Sequence, residues 1–133
     1  MTEIYLEEGA SLEMDSLQLG GVDTTVRKTS AVVGKDAHLI IRERILTEKE
    51  QEAQTDFVVE MNGENSSVNL VSRSVARDNS HQAYRSKIVG NAPCAGHSEC
   101  DAIIMDHASV IASPALTANS VDASLIHEAA IGK

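Results

Sequence analysis

The chain has 133 residues, a formal net charge of −9, and little aromatic mass: no Trp, two Tyr and one Phe. That length supports one core rather than two. The acidic balance excludes the clustered basic face that nucleic acids or anionic membranes require of a partner. No charged leader with an apolar core opens the chain, and no apolar run approaches the ~20 residues of a membrane span, so the expected compartment is the cytoplasm. The apolar mass is Ala, Val, Ile and Leu among many Ser and Thr. Such side chains suit a narrow interior between stacked strands.

In chain order, one phrase recurs: a turn, a small residue, then alternating apolar positions. It first occurs at Gly9-Ala10-Ser11-Leu12, and the strand it opens runs to the turn Leu19-Gly20-Gly21. A strand-like stretch near Thr24 ends at Val33-Gly34-Lys35-Asp36, and the phrase returns at Asp36-Ala37-His38-Leu39. Residues 43–55 are rich in Glu, Lys, Gln and Ala and read as helix by propensity. Their apolar positions, Ile45, Leu46 and Ala53, make a poor core-facing stripe, so a solvated loop or a crossing strand stands equally open. Strands near Gln54 and Gln82 flank the turns Asn62-Gly63-Glu64-Asn65 and Arg77-Asp78-Asn79-Ser80, with the phrase at Asn65-Ser66-Ser67-Val68 between them. After Gly90-Asn91-Ala92-Pro93 it appears at Asp106-His107-Ala108-Ser109-Val110 and Asp122-Ala123-Ser124-Leu125.

The steps from Ala10 to Ala37 and on to Ser66 are 27 and 29 residues, and Ala108 to Ala123 is 15, as if consecutive sides of one coil carry the phrase. A period of roughly 28 with a half-step strand predicts a flattened coil of four to five turns. The spacing leaves an all-β parallel β-helix over residues 1–133 as a single domain open beside one alternative. A small antiparallel barrel or sandwich is the alternative.

The chemistry-bearing residues lie in the last third. Cys94 and Cys100 are too few for a disulfide framework and miss CxxC spacing, so both are expected as free thiols. Cys100 lies in an alternating run and is either a small buried strand residue or a thiolate ligand for iron. His127 and Glu128 are adjacent and point to opposite faces of any regular strand. Read locally, they are a half-buried histidine and a solvated edge carboxylate. Cys94 follows Pro93 and reads as a surface thiol. His97 is a reserve ligand, and His38, His81 and His107 read as structural. No GxxxxGK[ST] loop occurs, so ATP binding by the chain is excluded. The scarcity of aromatic sugar platforms argues against a polysaccharide-cleaving β-helix, and no enzyme activity is expected.

The runs Ile88-Val89-Gly90, Gly96-His97-Ser98-Glu99-Cys100 and His127-Glu128-Ala129-Ala130, with Tyr5-Leu6-Glu7-Glu8-Gly9-Ala10-Ser11-Leu12 upstream, resemble the SufB/SufD family of iron–sulfur cluster assembly scaffolds. The resemblance favours a right-handed parallel β-helix, and implies a role in the SUF system and a transient iron–sulfur cluster, or iron, as cargo. It further implies that Cys100, His127 and Glu128 contribute to the assembly site. A mixed thiolate, imidazole and carboxylate set is more labile for iron than four thiolates, as befits a scaffold that releases what it builds. The coexistence of the three residues favours the SufB-like type. The resemblance also implies a homodimer or heterodimer of SufB/SufD type. A SufC-like ATPase is the implied partner of a helical segment that follows this motif in the family and is absent here. The alternatives are a structural, SufD-like dimerisation module without its own cluster and a solenoid unrelated to clusters.

Overall fold

In a computed structural model that describes residues 1–133, the chain forms ten strands and no helix. They are β1 (Thr2–Leu6), β2 (Ser11–Leu19), β3 (Thr24–Val33), β4 (His38–Thr47), β5 (Glu52–Met61), β6 (Ser66–Ala76), β7 (His81–Gly90), β8 (Cys94–Ile104), β9 (Ser109–Ala118) and β10 (Ala123–Gly132). The odd strands form one five-stranded sheet and the even strands the other, each in the order of the chain, so two strands make one coil. Every pairing is parallel. The expected parallel β-helix is therefore present, with five coils, and the antiparallel alternatives are excluded.

Short, sharp corners keep the coils in register. Asp36 and Asn65 adopt left-handed backbone at one corner, and Lys49, Asp78 and Asp106 at the other. Asp and Asn tolerate that region because their short polar side chains bond locally. The corners also stack through side chains: Asn91 Nδ2 donates to Asn62 Oδ1 and Asn119 Nδ2 to Asn91 Oδ1, both at 2.7 Å. Gly63 has no room for a side chain, since a Cβ there would stand 1.9 Å from the backbone nitrogen of Lys35 on the preceding coil.

The interior is narrow and of two kinds. Leu39, Ile41, Val68, Leu70, Phe57, Val59, Met61 and Ile88 form an aliphatic part with one aromatic ring. Toward the other corner it turns polar. Buried Glu43 accepts hydrogen bonds from Ser72 Oγ at 2.7 Å and Thr55 Oγ1 at 3.3 Å, and pairs with Arg27 at 2.5 Å. Thr47, Ser80 and Gln82 form a second buried set at 2.9 Å spacings. Each polar group is satisfied, which is what makes its burial tolerable.

This polar interior settles residues 43–55. They are the end of β4, a turn and the start of β5, not helix. Glu43, Ile45 and Thr47 point inward, as do Ala53 and Thr55. Period two is there, but Glu and Thr occupy inward positions where an apolar pattern was sought. A second correction concerns Cys94: it opens β8 on the same inward parity as Gly96, Ser98 and Cys100, and it is buried rather than a surface thiol.

Candidate metal-binding site

The last three even strands, β6, β8 and β10, carry the candidate residues on two faces of one sheet. Along β8, Cys94, Ser98, Cys100 and Ala102 alternate into the interior, while His97, Glu99 and Asp101 are more open to solvent. On β10, the register pairs His127 with Ser98, Glu128 with Glu99 and Ala129 with Cys100. His127 therefore faces inward beside Cys100, and Glu128 faces outward beside Glu99. The parity fixes this: the structure brings Cys100 and His127 onto one face and separates Glu128 from both by the thickness of the sheet.

Cys100 is 1% exposed and occupies the inward column of Ser16, Glu43, Ser72 and Ala129. Burial pushes its thiol up to about 11, with the Glu43 and Asp101 carboxylates adding to the rise. Glu43 itself is raised by burial against the opposing pull of Ser72, Arg27 and Thr55. Burial likewise raises the Cys94 thiol. Tyr84, from the facing sheet, shares a hydrogen bond with Ser98 at 2.8 Å, and burial lifts its hydroxyl to about 12.

His127 stacks on Tyr84 with ring centroids 6.5 Å apart. Both of its ring nitrogens are shut from solvent and neither has a hydrogen-bond partner. Burial, with His97 nearby, lowers its affinity for a proton. An imidazole with an unpartnered nitrogen, on the same face as a thiol and one inward position away in register, offers donor types that suit iron and other borderline metals. The donors thus fit a cluster as cargo, as two ligands of a larger set.

A second group lies on the outer face. One donor atom from each of His97, Glu99 and Glu128 falls within 4.8 Å of the others. His97 Nδ1 is bonded to Asn69 Oδ1 at 2.8 Å, which leaves Nε2 directed at Glu128 Oε2, 3.4 Å away. The sequence reading placed His97 with Cys100 and missed Glu99. Their shared signal was legible only with the coil length, because Glu99 and Glu128 are one coil apart and in register. His38 and His81 are exposed and each bonds a serine on the next coil, at Ser67 and Ser109. A concavity of about 590 Å³ lies elsewhere on this face, against Leu17, Leu19, Leu46, Val75 and Ile103, and holds no Cys or His.

Fold and donors together define a β-solenoid whose last two coils carry sulfur, nitrogen and oxygen groups suited to metal. The chain belongs to the SufBD core domain family of the SUF system of iron–sulfur cluster assembly, whose profile matches residues 1–133. It is similar to an iron–sulfur cluster assembly SufBD family protein of Methanocaldococcus jannaschii, 35% identical over 127 residues covering 95% of this chain and 40% of that protein. Proteins of the same description from Archaeoglobus fulgidus and Pyrococcus horikoshii are 32% and 30% identical, over 99% and 100% of this chain. They are covered over 36% and 30% of their own length, so the chain spans two fifths or less of these relatives.

Proposed function

We propose that the chain is the core of a scaffold, SufB-like in its ligands, that holds a nascent iron–sulfur cluster at the open end of its β-helix and performs no catalysis of its own. The observation that carries this reading is His127, a half-buried imidazole whose two ring nitrogens are shut from solvent and unpartnered, on the same inward face as Cys100. When bound, the cluster brings its own sulfide and iron. The chain's part is to present a thiolate, to orient the imidazole by its stacking on Tyr84, and to shield the site from water.

Two donors from one copy leave a cluster half-ligated. We propose that a second copy, or a SufB/SufD paralogue, supplies the rest through β9 and β10. Each of these is paired on one side only, to β7 and β8. An exposed ladder invites another strand, and a two-fold arrangement satisfies both copies. In this reading Glu128, on the outer face, reaches the shared site from the partner's direction. A SufC-like ATPase and a cytoplasmic setting belong to the same proposal. No helix here is long and apolar enough to cross a membrane.

A second reading is a SufD-like companion that dimerises without a cluster, and the buried Cys100 thiol favours it, because a metal must first draw off a proton held up to about 11. Anaerobic reconstitution with ferrous iron and sulfide separates the two. The scaffold reading predicts sulfur-to-iron charge-transfer absorption that Cys100→Ser abolishes and Cys94→Ser largely keeps. Equal losses contradict the role of Cys100, and no absorption from the folded chain supports the companion reading.

A further inference from the structure

We propose that His97, Glu99 and Glu128 form a divalent-cation site on the outer face of the even-numbered sheet, separate from the inward pair Cys100 and His127. The site is assembled by coil geometry. His97 and Glu99 are two residues apart on β8 and so share a face, and the register sets Glu128 directly beside Glu99. Two carboxylates side by side on adjacent strands repel each other. No Lys or Arg forms an ion pair with either of them, and the one ion-pair contact at the pair is His97 to Glu128. Arg73, on the neighbouring strand, is engaged by Asp101 instead.

The imidazole is set up as a ligand. With Nδ1–H donated to Asn69 Oδ1, His97 turns the lone pair of Nε2 toward the carboxylates. That is how a second-sphere acceptor fixes the tautomer and ring plane of a metal-binding histidine. Three lone-pair donors then face one another with only a proton or a metal ion able to sit among them. Because the donor atoms lie within 4.8 Å of one another, a cation at their centre stands within about 2.8 Å of each. Rotation of Glu128, which is 62% exposed, closes the remaining gap to bond lengths of about 2.1 Å.

The donor set defines the ion. One imidazole and two carboxylates favour a borderline transition metal over Mg²⁺ or Ca²⁺, which prefer oxygen alone, and over soft ions that seek thiolate. Ferrous iron fits this chemistry. Its identity as the natural ion rests on the function proposed above, whereas the site itself rests on the outer-face geometry. The outer site would hold a single iron one sheet thickness from the thiol before a cluster exists.

The test is titration of the metal-free chain with Co²⁺, followed by calorimetry and by the cobalt ligand-field bands, in a Cys94→Ser/Cys100→Ser background. We expect one Co²⁺ per chain with affinity unchanged by the cysteine substitutions. His97→Gln and Glu99→Gln, both on the surface and near-isosteric, should each weaken binding by about tenfold or more, and Asn69→Ala by about tenfold. His107→Ala should leave affinity unchanged. Loss of Co²⁺ binding with the cysteines, or unchanged binding in His97→Gln and Glu99→Gln, overturns the proposal. Reconstitution from iron and sulfide is read on the same variants. Cobalt binding without cluster formation removes the scaffold reading and leaves the site, and cluster formation without cobalt binding does the reverse.

Discussion

At the scale of single residues, the controlling fact is which face a side chain takes. His127 is inward and its affinity for protons is lowered, first by burial. A base whose folded pKa is depressed contributes stability above its unfolded value, near 6.5, and that stability is lost as pH falls toward the folded value. Acidification below about 6.5 should therefore destabilise the metal-free chain, and His127→Phe should flatten that part of the denaturation-midpoint profile. An unchanged slope in His127→Phe would show that another group carries it. The Cys100 thiol gives an independent check. With its pKa up to about 11, roughly 100-fold less thiolate is present at pH 8 than for a free thiol, so iodoacetamide should label it at least that much more slowly in the folded chain than after unfolding. Both residues were legible as candidates in the sequence. That His127 joins Cys100 inside and Glu128 joins His97 outside needed the register, which adjacency in sequence does not supply.

At the scale of elements, a strand here is a row of inward positions whose polarity changes along its length. β4 begins with aliphatic Leu39 and Ile41 and continues inward with Glu43 and Thr47, so no single apolar stripe marks it. This is why residues 43–55 were illegible while their neighbours, carrying the Ala–x–Leu phrase, were plain. Glu43 is the keystone of the polar row. Glu43→Ala strands Arg27 and the hydroxyls of Ser72 and Thr55, and should cost about 2–4 kcal/mol by chemical denaturation. Glu43→Met strands the same groups but keeps the volume, so it should cost less by the cavity that alanine leaves. A Glu43→Met cost as large as that of Glu43→Ala would show that the polar network, not the cavity, dominates. Gly63→Ala forces a corner apart from the coil before it, and should lower stability by more than the ~1 kcal/mol that glycine's backbone freedom alone would explain.

At the scale of the molecule, two strands make one coil and five coils stack in parallel. The coil length of 27 to 29 residues was readable from the phrase spacing, because the repeat reports the turns and the turns are where Asp, Asn and Gly are required, whereas the parallel pairing was favoured only with the family resemblance. The partner surface proposed above runs along β10, and Ile126 lies in the middle of that strand. Ile126→Glu places a charge on that strand and should yield a monomer by light scattering with weakened iron binding. In the proposed function, the cluster is held between copies joined at this end. Sedimentation of the anaerobically reconstituted chain, followed at the visible charge-transfer band, tests it most directly. The account predicts that the coloured species sediments as a dimer while Cys100→Ser sediments as a colourless dimer. A coloured boundary moving as the monomer, or colour retained in Cys100→Ser, would contradict it.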